Sequence, residues 1–232
     1  MNILKNLYGT IKNSFFIGNS NSIELKNNSG TLEIQNNTKI GTSSNYTEIE
    51  SDGSLVHHGD ATCWDDINFD VSKARVDAVN KPNWAVFTTN TRKYKFAVDD
   101  YIWVGSNELM HCYKEGTAIY PHLHIFSNGV DIDDRYIKFQ GDMIICPMNA
   151  AAVEVSFSSE WKIPANTPDK THFLFEFDPY TDVSLGIGAN IDGRLKRIAS
   201  TGTAPSSNPF VAMLGIHIEM DMLGSRQRLS KT

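Results

Sequence analysis

The chain has 232 residues, of which 41% are hydrophobic, and its formal net charge is −6 at pH 7. This size and composition are typical of one globular domain with an appendage, or of two small domains. The acidic balance, with no basic cluster longer than residues 194–197 (RLKR), argues against a nucleic-acid partner. The sequence contains no run of about 18 apolar residues, which a membrane-spanning helix would require, and no signal peptide is recognisable. We therefore expect the protein to be made and assembled in a cytoplasm.

The N-terminal segment, residues 1–60, is polar and rich in turn-forming residues. Eight asparagines lie between Asn13 and Asn45, and they separate short apolar stretches at a spacing of about eight residues: Ile23/Leu25, Leu32/Ile34, Ile40, Tyr46/Ile49 and Leu55. This pattern predicts short strands joined by Asn/Gly turns. Each strand offers one or two apolar side chains, so we expect an extended β stalk or attachment segment whose missing faces come from identical neighbouring chains. A disordered polar arm is the alternative.

The segment 61–232 is richer in β-branched and aromatic residues. Its apolar runs, several of them alternating, are 84–89, 94–98, 101–104, 136–139, 153–157, 173–177 and 211–220. Gly, Asn, Asp or Pro bound most of these runs, and none shows the 3.6-residue period of an amphipathic helix. We therefore predict an all-β protein in which this segment forms an antiparallel β-sandwich or jelly roll.

Cys63, Cys112 and Cys146 are odd in number, far apart and in no Cys-x-x-Cys pair. This spacing argues against a disulfide scaffold or a structural zinc site. We expect all three to be reduced residues that contribute to packing.

Two histidines, His122 and His124, stand two positions apart in the apolar run of residues 120–126 (YPHLHIF). In a strand, residues i and i+2 project from the same face, so the two imidazoles would be presented together. They fit an ordinary half-polar strand face. In a parallel trimer, a His-x-His strand next to the axis would instead bring six imidazoles together, enough for an octahedral transition-metal site, which is the one cofactor the pattern suggests.

The order Gly116, His122, His124 also resembles the opening of the cupin motif. Cupins continue with a glutamate a few residues later, but here residues 125–129 (IFSNG) follow, and the carboxylate is missing. A cupin-like metal-dependent enzyme that uses His122 and His124 is therefore the alternative function. It requires a third ligand distant in sequence, for which His217 and His172 are the candidates.

Acidic residues cluster at two other places. Asp65 and Asp66 follow Trp64, and Asp131, Asp133 and Asp134 lie within four residues of one another. We interpret both clusters as solvated turns, because neither has the spaced oxygen ligands of an EF-hand. No nucleophile elbow, P-loop or dinucleotide fingerprint is present, so we do not expect an enzyme.

Four stretches, in this order, resemble a family of virion proteins of tailed bacteriophages that includes fibre, spike and tail proteins. They are residues 46–55 (YTEIESDGSL), residues 59–67 (GDATCWDDI), residues 111–124, which begin HCYKEGT and end YPHLH, and residues 221–227 (DMLGSRQ). The resemblance covers residues 45–232. Ile125 stands where the family is expected to have tryptophan, and either residue suits a strand. Residues 1–45 match nothing in the family, so attachment to the head or to the tail stays open.

The resemblance implies a structural, homotrimeric virion component. Its slender N-terminal part would bind other virion proteins, and its C-terminal β-sandwich would face outward and attach to a host-surface glycan or protein. On this interpretation the candidate receptor contacts are Asp131, Asp133, Asp134 and Trp161, although Trp161 also suits a core position. A capsid decoration protein is a related alternative that differs mainly in location.

Overall fold

The computed structural model describes residues 37–182 and 184–231 in full, and strands at residues 14–17, 23–28 and 31–35 by their backbone. The prediction of an all-β protein is confirmed, since the only helical elements in the described residues are two 3₁₀ turns, Gly59–Ala61 and Val71–Lys73. Within the same residues, no helix is long and apolar enough to cross a membrane. The expectations for the side chains of residues 1–36 lie outside the described residues.

The chain divides into two compact units between Thr62 and Cys63. The first unit also takes in Asp221–Leu223, because the backbone N–H of His57 donates to the carbonyl of Asp221 at 2.6 Å. Its six strands form two antiparallel three-stranded sheets. The first sheet contains β1 (Ser14–Ile17), β2 (Ile23–Asn28) and β3 (Thr31–Gln35), and the second contains β4 (Thr38–Gly41), β5 (Tyr46–Ile49) and β6 (Leu55–His58). Each apolar stretch predicted to form a strand between residues 23 and 55 lies in one of β2 to β6.

The second unit is a sandwich of two antiparallel sheets. One sheet has the order β10-β15-β12-β13, and the other has the order β14-β11-β16, with β7 and the β9-β8 hairpin both paired to the far edge of β16. The strands are β7 (Cys63–Asp70), β8 (Asn83–Thr88), β9 (Thr91–Lys95), β10 (Tyr101–Glu108), β11 (Tyr120–Phe126), β12 (Arg135–Cys146), β13 (Val153–Ile163), β14 (His172–Glu176), β15 (Asn190–Ile198) and β16 (Phe210–Met220).

These connections define a jelly roll. When the β8-β9 hairpin is left out, the remaining eight strands, numbered along the chain, form one sheet in the order 1-8-3-6 and another in the order 2-7-4-5. Two interlocked Greek keys, which together contain eight strands, give this arrangement. The hairpin is an insertion between the first and second strands.

The core lies between the two sheets and follows the two-residue period of the strands. In β11, Leu123 and Ile125 are fully buried in the core, and His122 and His124 project from the opposite, outer face of the same strand. The outer face of the six-stranded sheet is therefore the place where this strand presents its polar side chains.

The cysteines are only partly as predicted. No disulfide links the three residues, but Cys112 is buried, Cys146 is half-buried and Cys63 is exposed. The packing role is therefore wrong for Cys63, which lies at the start of β7 on the surface of the sandwich.

Candidate metal centre on the outer face of the jelly roll

Four histidines form a continuous row on the outer face of the six-stranded sheet. The rings of His217 and His122 stack with centroids 3.9 Å apart, and those of His122 and His124 meet edge to face at 5.1 Å. His172 stacks on His124 at 5.0 Å. The pairing of β11 with β16 on one side and with β14 on the other produces this row. His217 and His172, the two candidate third ligands, thus lie beside His122 and His124 respectively.

Asp66 adds a carboxylate next to His217, at one end of this row. It lies opposite His217 in the β7–β16 ladder, and its Oδ1 is 3.2 Å from Nε2 of His217 and 3.9 Å from Nε2 of His122. One donor atom from each of Asp66, His122 and His217 lies within 4.8 Å of the other two. We call these three residues the triad.

His122 is enclosed by its own chain, with no exposed surface. Its ring lies against Gly215, the residue opposite it on β16, where an added Cβ would be only 2.4 Å from Nε2 of His122. Neither ring nitrogen makes a hydrogen bond of ordinary geometry, and Oδ1 of Asp66 also lacks one. Buried polar atoms are nearly always paired, so three such atoms side by side mark an unusual place.

The surroundings of His122 favour its neutral form. Burial and, to a smaller extent, the neighbouring His217 lower the pKa of His122 to about 4, although Asp66 and the Tyr120 carbonyl act in the opposite direction. Burial, followed by the nearby His172, also lowers the pKa of His124. At neutral pH, His122 therefore carries an unprotonated nitrogen.

His217 lies between two carboxylates. Its Nδ1 is 3.4 Å from Oε1 of Glu176, and its Nε2 is 3.2 Å from Oδ1 of Asp66. A neutral imidazole is a donor at one nitrogen and an acceptor at the other. If Nδ1–H of His217 is directed at Glu176, its Nε2 presents a lone pair toward the other two residues of the triad.

The triad is open to solvent on one side. Trp64, Tyr120, Glu176 and His217 line a surface depression of about 380 Å³. Trp64 is 58% exposed and contacts the ring of Tyr120 edge to face at 5.3 Å. A small ligand or water molecules can therefore reach the edge of His217 from this depression.

The predicted acidic receptor contacts mostly stabilise loops. Asp131 pairs with Arg135 at 3.2 Å and accepts a hydrogen bond from the backbone of Ser206. Asp134 accepts hydrogen bonds from Lys162 and from the backbone of Ala165. Asp133 is exposed.

Trp161 lies at the margin of the core. Its ring stacks on Phe175 at 5.1 Å and contacts Phe177 edge to face at 4.8 Å, and its indole N–H donates to the carbonyl of Glu176. These contacts cover the aromatic faces that a sugar would need. The structure does not bring Trp161 together with the acidic candidates in any contact described for these residues.

A second surface, which the sequence reasoning missed, offers aromatic and charged groups together. A groove of about 970 Å³ is lined by residues of β10 and β15 and of the loop at 73–77. Trp103 is 41% exposed there, and Asp77 accepts hydrogen bonds from its indole N–H at 3.2 Å and from the hydroxyl of Tyr101 at 2.7 Å. The guanidinium of Arg194 lies over both rings.

Asp66 and Glu176 were also missed as members of the histidine cluster. The prediction that residues 65 and 66 form a turn is wrong, because both lie inside β7. The signal was present in the alternation of Asp66 and Asn68 with Ile67 and Phe69, which is the period of a strand with one buried face.

No protein-family model matches the chain, and no curated protein matches it significantly. The likeness of residues 45–232 to virion proteins of tailed bacteriophages therefore rests on its four short stretches, and the function that it implies is a proposal.

Proposed function

We propose that the protein is a structural component of a tailed-bacteriophage virion, a homotrimeric fibre or spike subunit. Its first unit binds other virion proteins and its own copies, and its jelly roll meets the host surface. The sequence resemblance, the jelly-roll arrangement and the sparse apolar burial of residues 37–60 support this role.

The observation that carries the proposal is the surface of the β4-β5-β6 sheet. Among residues 37–60, Glu48 is the only buried residue. It accepts a hydrogen bond from Asn37 at 2.6 Å and pairs with His58 at 3.1 Å. A sheet whose one buried side chain in this range is a carboxylate has little apolar burial of its own to offset the entropy of ordering.

The opposite face of this sheet is apolar and exposed. Cross-strand partners face the same side, and the pairs Thr38–Ile49, Ile40–Thr47 and Ile49–Leu55 place three apolar residues on one face. Ile40 is 65% exposed and Ile49 is 39% exposed. Identical copies packed on this face would bury those side chains, as stacked repeats do for one another.

The groove beside Trp103 supports a role in attachment. An exposed indole next to carboxylates and a guanidinium can bind the apolar face and the hydroxyl groups of a sugar. Three copies of a weak site on one trimer would gain by effective concentration. A host-surface glycan is therefore the receptor class that this groove fits best.

Native mass spectrometry of the full-length chain tests the oligomeric state. We expect a trimer, and we expect Ile40→Asp to shift it toward the monomer, because a charge would be buried at the contact between copies. Ile132→Asp is the matched control: Ile132 is 77% exposed in a loop of the jelly roll, and the same change there should leave the trimer intact. A wild-type monomer, or equal dissociation of both variants, would refute the proposed assembly.

A metal-dependent enzyme is the second candidate, because His217 lies beside His122 as that function requires. The histidines, however, project from the outer face of the sheet, and of the four only His217 lines the open depression beside them, whereas catalytic sites are usually deep enough to exclude water. A monomer with one metal ion per chain would favour the enzyme over the fibre.

A further inference from the structure

We propose that Asp66, His122 and His217 bind one divalent transition-metal ion in each chain. The site differs from the shared axial site predicted for His122 and His124, because all of its ligands come from one chain. The inference is independent of the virion role and would hold for a monomer as well as for a trimer.

Oδ1 of Asp66 is already close enough to each of the two histidines to share an ion with it. Metal–nitrogen and metal–oxygen distances are about 2.0–2.2 Å, so two atoms bound to one ion can be at most about 4.4 Å apart. Nε2 of His217 and Nε2 of His122 lie 3.2 Å and 3.9 Å from Oδ1 of Asp66. One ligand atom of each of the three residues lies within 4.8 Å of the other two, and the stacked rings of His122 and His217 would have to turn to direct their nitrogens at one ion.

The ring nitrogens of His122 lack partners that an ion would supply. Neither nitrogen has a hydrogen bond of ordinary geometry, and His122 is fully enclosed, whereas Oδ1 of Asp66 already lies 3.2 Å from Nε2 of His217. Leaving such atoms unpaired costs free energy unless something occupies the site. Because Gly215 has no side chain, the ring of His122 can occupy the space beside it.

Glu176 provides the outer support that a metal-binding histidine usually has. Ligating histidines commonly donate their second ring N–H to a carboxylate, which fixes the ring orientation and the tautomer. Nδ1 of His217 faces Oε1 of Glu176 at 3.4 Å. The depression beside Trp64, which His217 and Glu176 line, gives water access to this side of the site.

The chemistry of the donors defines the class of metal. Two imidazole nitrogens and one carboxylate oxygen suit Zn²⁺, Fe²⁺, Co²⁺ or Ni²⁺, whereas Mg²⁺ and Ca²⁺ prefer oxygen ligands alone. The neighbouring pair His124 and His172 is a weaker candidate, because its Nδ1 and Nε2 atoms lie 2.9 Å apart as hydrogen-bond partners and no carboxylate completes it within the described residues.

Titration of the full-length protein with Zn²⁺ tests the site, with calorimetry for affinity and native mass spectrometry for stoichiometry. We expect one ion per chain. Asp66→Asn and His217→Gln should each weaken binding by about a hundredfold or more, and Glu176→Gln by about 10–100-fold. These residues are partly exposed, so their substitution preserves the fold better than a change at His122, and far-UV circular dichroism checks this.

His172→Gln is the matched control, since it removes a histidine of the same row from outside the triad. We expect its affinity for Zn²⁺ to stay within about threefold of the wild type. Absence of binding at micromolar Zn²⁺, or one ion per trimer, would overturn the proposal. So would a loss of binding in His172→Gln together with normal binding in Asp66→Asn.

Discussion

At the scale of single residues, Gly215 determines how the imidazole of His122 packs on the sheet. An added Cβ would lie 2.4 Å from Nε2 and 2.5 Å from Cε1 of a ring that has no free space around it. We therefore predict that Gly215→Ala lowers the free energy of unfolding by about 1–3 kcal/mol, the usual cost of overpacking. Urea unfolding followed by tryptophan fluorescence measures this change.

Gly105→Ala provides the control for that measurement. Gly105 also lies in a strand, β10, but nothing is within 4 Å of its added Cβ. Alanine there should be neutral or slightly stabilising, because it restricts the unfolded chain. Equal destabilisation by both substitutions would mean that the contact with His122 is not the cause.

Individual residues also show which parts of the site can be predicted from the sequence and which cannot. The spacing of His122 and His124 predicts that both imidazoles lie on one strand face, and they do. Asp66 and His217 are 151 positions apart, and only the pairing of β7 with β16 makes them neighbours. Such long-range register depends on the packing of the whole sandwich and cannot be read from a local pattern.

At the scale of elements, Asp142 connects three strands of the four-stranded sheet. It lies on β12 directly between Arg194 of β15 and Ser156 of β13, and it accepts hydrogen bonds from both and from Gln140. Burial raises the pKa of Asp142, but the hydrogen bonds from Gln140, Arg194 and Ser156 outweigh burial and lower it below its usual value.

A lowered pKa has a definite consequence for stability. The ionised carboxylate stabilises the fold above the pKa of the unfolded chain, about 3.9, and this contribution is lost as pH falls through the pKa of the folded state. We predict that Asp142→Asn costs about 1 kcal/mol at pH 7. The cost should shrink as pH falls through the lowered pKa of folded Asp142, below which both proteins carry a neutral side chain.

Urea denaturation of both proteins at several pH values checks this prediction. Asp133→Asn, at an exposed loop position, is the control and should change little at any pH. A deficit of Asp142→Asn that stays constant from pH 7 to pH 3 would exclude the charge of Asp142 as its origin.

The positions of the strands along the chain were largely predictable from the sequence, but the pairing partners of each strand were not. Alternation of apolar residues predicts strands such as those at 101–104 and 153–157, and turn residues mark many of their ends. The run 94–98 is only partly a strand, because β9 ends at Lys95. The sequence does not contain the strand order. The β8-β9 hairpin, for example, occupies the same edge of β16 as β7, because both must cover backbone groups that β16 would otherwise expose.

At the scale of the whole molecule, the two units differ in how they reach stability. The jelly roll has a continuous apolar core between its sheets. The described residues of the first unit expose their apolar face at Ile40 and Ile49. The first unit should therefore depend on association, and its stability should rise with protein concentration.

The triad gives the jelly roll a separate source of stability that can be followed in the intact chain. Asp66, His122 and His217 belong to three neighbouring strands, β7, β11 and β16, and Glu176 adds the fourth strand of that half of the sandwich. An ion held by these residues binds the folded sheet and not the unfolded chain. At 100 times its dissociation constant, such a ligand stabilises by about 2.7 kcal/mol.

All four tryptophans, Trp64, Trp84, Trp103 and Trp161, lie in the jelly-roll unit, so their fluorescence follows the melting of this unit in the full-length protein. We predict that saturating Zn²⁺ raises its melting temperature by about 5–10 °C, since 1 kcal/mol corresponds to about 2–4 °C for a domain of this size. Mg²⁺ should have no such effect. In Asp66→Asn the Zn²⁺-induced rise should disappear; an equal rise in both proteins would mean that Zn²⁺ acts elsewhere on the chain.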